Sequence, residues 1–190
     1  MEERKKRVTA PRIAATLSAL LAGATLYTVS GSERQGIQVM EYDAATEAAD
    51  STIMVYMNGS DLEGDYGAAT ADLQEMMAAL VKMGQEGRAP SLHVVVEAGG
   101  STRWELEEMD GVSYARFVLT EDGVSAMEPM EIRNMGEADT LTDFINYGVQ
   151  SYPASHYGLI LWNHGGGPVG GYGSDSHFGG DGLSLEEIRE

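Results

Sequence analysis

His164 is the residue of this chain whose type and position point most directly to chemistry. The run Leu159-Ile160-Leu161-Trp162 is short and apolar, and it is bounded by Gly158 and by Gly165-Gly166-Gly167. That pattern predicts a fully buried strand, with His164 where the strand runs out. In open α/β sheets, reacting groups collect just beyond the carboxyl ends of the strands. A neutral imidazole there can take a proton from a thiol or hydroxyl and return it to a leaving amine. The amides of Gly165 or Gly166 could donate to a developing oxyanion. A strand-end histidine can also simply bond a neighbouring loop; the Asn-His-Gly-Gly-Gly context is what favours the chemical role. Asn58 and Asp61 follow an earlier predicted strand, could face the same edge and are the candidate substrate-binding residues. Residue type alone assigns them instead to turn chemistry and helix capping.

Several alternatives fail on context. Gly165 to Gly170 satisfies the spacing G-x-G-x-x-G after a strand. Dinucleotide binding needs a helix to open there at once, and Pro168, Gly170, Gly171 and Gly173 argue against one. Asp175, Gly180 and Glu186 fall at the first, sixth and twelfth places of a calcium loop, but His177 and Gly179 occupy places that need hard oxygen ligands. At most a loose calcium contact from Asp175 or Asp181 is left, so no cofactor and no metal site is expected. His93, His156 and His177 have no partner at ligand spacing. With no cysteine in 190 residues, disulfides, cysteine-ligated zinc and an internal thiol nucleophile are all excluded.

The elements that must position these residues read as follows. Thr52 to Met57 is a strand ended by Asn58-Gly59-Ser60-Asp61. A helix follows, with Ala69, Leu73, Met76, Met77 and Leu80 on one face and Gly84 as its stop. Leu92 to Ala98 is a second buried strand. Trp104–Met109 and Val112–Leu119 flank Asp110-Gly111, which predicts a type I′ hairpin. A second helix is expected from Asp139 to Tyr152, burying Leu141, Phe144, Ile145, Gly148, Val149 and Tyr152. Residues 165–182 hold nine glycines and no periodicity, so they are expected to form a long mobile loop. Ser184 and Glu187 form a capping box that opens a last helix, which Glu190 leaves without room to bury a face, as in a truncated domain. This order predicts an α/β fold with a mainly parallel sheet, flanking helices and a hairpin.

The amino terminus resembles an address. Arg4-Lys5-Lys6-Arg7 precedes an uncharged, mostly apolar run from Ile13 to Val29, closed by small residues. Residues 1–31 are expected to be a secretory signal, or else an uncleaved membrane anchor, and 32–50 a linker. The protein is then secreted or held at the cell surface, touching a membrane only through that segment. The net charge of −18 excludes general nucleic-acid binding and suits cationic partners. Without residues 1–31 the chain keeps 7 basic and 28 acidic residues, a net charge of −21.

Three segments together carry a resemblance: Thr52 to Glu63 (TIMVYMNGSDLE), Val94 to Gly100 (VVVEAGG) and Tyr157 to Gly167 (YGLILWNHGGG), with Asn134-Met135-Gly136 also fitting. Residues 51–190 resemble the amino-terminal part of the clostripain family of cysteine peptidases, which have a caspase-like fold. The resemblance implies that His164 is the base of a Cys–His dyad and that the Gly165 amide contributes to the oxyanion hole. It also implies that Asp61 lies near the pocket for the residue before the cut, typically Arg or Lys. The partner is then a peptide or protein substrate. In the family the cysteine lies on the next strand, after the helix that begins near Ser184, so these residues alone are expected to be inactive. Residues 165–188 lack the basic residue at which relatives are processed. A non-catalytic exported module holding cationic peptides, and a nucleotide-binding α/β protein, are the other readings.

Overall fold

A computed structural model describes residues 48–87 and 91–189. The expected leader or anchor and nearly all of the expected linker lie outside the described residues. The first strand begins earlier than its β-branched run suggests, at β1 (Ala49–Asn58). The expected single helix is two, α1 (Ser60–Tyr66) and α2 (Ala68–Gln85). They are separated by Gly67, whose left-handed backbone (φ 61°) breaks the first helix and starts the second. Gly84 does not stop α2; the chain turns at Gly87 instead, with φ 64°.

Strand β2 (Leu92–Gly99) follows, then β3 (Ala115–Thr120), β4 (Gly123–Pro129), α3 (Ala138–Ser151) and β5 (Ala154–Trp162). The sheet order is β4-β3-β2-β1-β5. Strands β2, β1 and β5 are parallel, and β3 and β4 extend them antiparallel. Parallel neighbours need crossover connections, which α1–α2 and α3 supply on opposite faces. On one face Val55, Met57, Val96 and Phe117 pack against Ala69 and Leu73 of α2. On the other, Met54, Tyr56, Val95 and Val118 pack against Leu141 and Phe144 of α3. The alternation within β1 and β2 is the period-2 geometry of a strand covered on both sides. Gly148 of α3 lies close to β1: a Cβ there would lie 2.4 Å from the Met54 sulfur and would displace that side chain. The fold is thus α/β, with the expected parallel strands, flanking helices and hairpin.

Three expectations are corrected. The hairpin is β3–β4, turning at Glu121-Asp122, and not the segments flanking Asp110-Gly111. Asp110 has φ −60° and ψ 121° and Gly111 has φ 70°, a type II geometry that splays strands where type I′ would pair them. Trp104, Leu106 and Met109 are buried, but in a loop containing a single 3-10 turn at Glu107–Met109. Second, β5 is an edge strand rather than a fully buried one: Leu159 and Ile160 are 40% and 42% exposed. No strand among the described residues covers its outer side. Val149 on α3, expected on the buried face, is exposed.

Third, the glycine-rich tract is ordered. It forms the single turn α4 (Gly167–Gly170), then β6 (Tyr172–Asp175) and β7 (Asp181–Leu183), which pair antiparallel. A helix therefore does open after Gly166, but for one turn only. The glycines serve close approach: Gly171 has φ 68° and ψ −134°, and a Cβ on it would sit 1.9 Å from the Leu183 carbonyl oxygen. Gly171→Ala is expected to cost about 3 kcal/mol from backbone strain plus overpacking, read as a drop in the urea midpoint. An unchanged midpoint would show that the hairpin is not held as described. The capping box is formed, with Ser184 N–H donating to Glu187 at 2.8 Å and Glu187 N–H to the Ser184 hydroxyl at 3.2 Å. It opens α5 (Leu185–Arg189). Among the described residues no helix is long and apolar enough to cross a membrane.

Candidate active site

The chain leaves β1 for β2 on one side and later returns to the other side of β1 as β5. The crevice beyond the carboxyl ends of β1 and β5 is therefore the switch point where α/β sheets gather ligands. Asp61 enters it from the first turn of α1, and His164 from two residues past β5. Their side chains are 55% and 60% exposed, with Asp61 Oδ1 3.7 Å from His164 Nε2. Two residues that are 103 apart in sequence thus meet because their strands are parallel neighbours in register, Met57 beside Trp162.

The end of β5 is held from three directions. The Asn163 side-chain amide donates to the Asn58 carbonyl, and its oxygen accepts from the His164 N–H. The Tyr172 hydroxyl lies 2.9 Å from the Tyr56 carbonyl and 2.8 Å from that of Trp162, bridging β1 and β5. Burial pushes the Tyr172 hydroxyl well above its ordinary pKa, so it stays a donor. The Trp162 indole N–H donates to Asp72 on α2 at 2.6 Å. The His164 backbone is fixed on both sides while its imidazole stays free of packing.

Gly165 pairs with Tyr172 in an isolated antiparallel bridge. The hydrogen bonds of that bridge belong to its neighbours: Gly166 N–H donates to Gly171 at 2.8 Å, and Gly173 N–H to His164 at 3.0 Å. In such a pair the central N–H points away from the partner strand, so the hairpin leaves the Gly165 amide unused. A Cβ on Gly165 would meet nothing within 4 Å. Packing does not demand glycine here; the space beside it is open. Gly166 differs, since a Cβ there would be 2.5 Å from the Gly170 backbone.

Asn58 does not face the crevice, as sequence position suggested, nor does it cap α1, whose N-cap is Gly59. It is fully buried, and its amide pairs with Ser174, donating to the carbonyl at 3.1 Å and accepting from the N–H at 3.3 Å. A Cβ on Gly100 would collide with it at 2.0 Å. Asn58 therefore clamps β6 onto the sheet and is out of reach of a substrate. Asp175 is equally buried, and its carboxylate accepts from Met135 N–H at 2.9 Å and His177 N–H at 2.8 Å. Asp181 accepts from Asn134 at 2.7 Å. Each Asp175 oxygen thus accepts from one backbone amide. Among the described residues no three His, Asp or Glu side chains group to hold a metal. His93, His156 and His177 stay apart from the crevice pair, bonding Thr52, the Asp50 carbonyl and the Ser101 carbonyl respectively.

Sequence reasoning missed Tyr172, Asn163 and Asp72 as supports. A single aromatic between Gly171 and Gly173 was the available signal, since glycines on both sides let its backbone reach the sheet. The model of the clostripain family matches residues 55–190. No curated protein sequence matches the chain. Among solved structures, a cysteine protease of B. fragilis is similar at 20% identity and a TM-score of 0.44, over 62% of this chain and 91% of that one. A clostripain from Bacteroides thetaiotaomicron, solved with a peptide inhibitor, is similar at 15% identity and a TM-score of 0.41, over 64% and 95%. With the family model matched from β1 through α5, across both strands that build the crevice, this chain belongs to the clostripain family of cysteine peptidases.

Proposed function

We propose that residues 51–190 are the amino-terminal part of an exported cysteine endopeptidase that cleaves after Arg or Lys, with His164 as base. The observation that carries this is the exposed imidazole at the end of an edge strand whose outer side is unpaired among the described residues. A strand laid along β5 would cover Leu159 and Ile160 and bring its own carboxyl end beside His164. That is where a thiol would need to lie, and these 190 residues contain none. The thiol proton passes to the imidazole, the thiolate attacks the peptide carbonyl, and the imidazolium protonates the leaving amine. The unused Gly165 amide stabilises the oxyanion. The net charge of −18 favours a cationic peptide over an acidic one. The basic head and apolar run of residues 4–29 support export.

The test compares this chain alone with the assembled peptidase, meaning these residues joined to a polypeptide that brings the thiol. Fluorogenic Arg and Lys peptides should be turned over only by the assembly, and alkylation of the thiol should stop it. Turnover by the 190 residues alone would overturn the proposal.

A further inference from the structure

We infer that Asp61 is a positioning residue for His164, holding the imidazole through Nε2 so that Nδ1 is the nitrogen that takes the thiol proton. This rests on the reading of His164 as base and deepens it. The contact is 3.7 Å between Asp61 Oδ1 and His164 Nε2, and it is the sole ionic contact of Asp61 among the described residues. Asp61 is not the N-cap of α1, which is Gly59. Arg103 of a neighbouring loop is engaged with the Gly64 carbonyl and with Glu105.

The backbone next to Asp61 is strained. Ser60, immediately before it, is buried and sits at φ 48°, a left-handed conformation that costs a non-glycine residue energy. The distance exceeds a hydrogen bond, as such contacts often do before substrate closes a site and dries it. In the tautomer this role requires, Nε2 carries its hydrogen on the Asp61 side and the lone pair of Nδ1 is on the far part of the ring. When a thiol approaches, its S–H bond breaks and an Nδ1–H bond forms. The imidazolium then lies against a carboxylate that offsets its charge until the proton goes to the amine.

A carboxylate reserved for the substrate's cation behaves differently. It would raise KM for Lys and Arg peptides, whereas a positioning carboxylate acts on kcat. In the assembled peptidase, Asp61→Ala is expected to lower kcat about tenfold on Lys and Arg peptides, with KM within about twofold. Asp61→Glu should recover part of the loss. In the 190-residue chain, relaxation of a labelled His164 ring should show its order parameter falling below about 0.6 in Asp61→Ala, with His93, His156 and His177 unchanged. A rise in KM with kcat unchanged, or an unaltered ring, would overturn the inference. Should His164→Ala itself leave turnover intact, the underlying reading of the base fails instead.

Discussion

Replacing His164 by alanine is expected to lower kcat/KM of the assembled peptidase by about 10²–10⁴-fold, the range supplied by a positioned acid–base group. That is about 3–5 kcal/mol of transition-state stabilisation. The same change should leave stability within about 0.5 kcal/mol, because the side chain is 60% exposed and belongs to neither core cluster. The separation of the two readouts gives the experiment its force: a melting temperature that stays while turnover vanishes isolates chemistry from folding. His156 is the natural control. It sits near the start of β5, eight residues before His164, or about 26 Å at the rise of a strand. His156→Ala should leave turnover at the wild-type level. Equal losses in both variants would mean that β5 had been disturbed and that no specific base had been removed.

How far the sequence carried this site depends on the kind of interaction involved. Strand and helix identities came from periodicity, and β1, β2 and α3 fall close to their expected bounds because each is covered by its own neighbours. His164 was legible because a buried-strand pattern and a run of glycines coincide there. What was not legible depends on partners far away in the chain. Asp110-Gly111 and Asp122-Gly123 carry the same dipeptide, yet only the second lies in a hairpin, whose turn is Glu121-Asp122. Burial of Trp104, Leu106 and Met109 commits the segment before the first to a loop against α2. The glycine tract looked mobile because its constraints are carbonyls and amides of other elements: Leu183 against Gly171, Asn58 against Gly173. Asn58 was misjudged for the same reason, since its residue type suits a turn and only Ser174 reveals that it is interior. The pairing of Asp61 with His164 required knowing that β5 lies beside β1.

Glu97 is the sharpest instance of a residue that sequence pattern hides, and Glu97→Ala is expected to destabilise the folded unit by about 3–5 kcal/mol. It stands in the apolar run LHVVVEAG, with no local sign of a partner. In the structure it is fully buried beneath α3, accepting from the Tyr114 hydroxyl and from Arg116 Nε. Burial raises its carboxyl pKa above the usual range, against the pull of Arg116 and Tyr114. Burial works against the Arg116 charge too, but Glu97 and Asp143 hold it, with the guanidinium 2.7 Å from Asp143 and over the Tyr147 ring at 4.6 Å. Removing Glu97 strands the buried Arg116 with one partner, and that partner, Asp143, is half exposed and shared with Arg133 at 2.6 Å. The residual partner places the cost nearer 3 than 5 kcal/mol, a fall in melting temperature of about 10 °C for a folded unit of this size. Because the cost comes from an unpaired charge rather than from lost volume, Glu97→Met combined with Arg116→Met should recover most of it. A double variant no more stable than Glu97→Ala would instead assign the loss to packing under α3, and a single variant within about 1 kcal/mol of wild type would remove the network from the account of the fold.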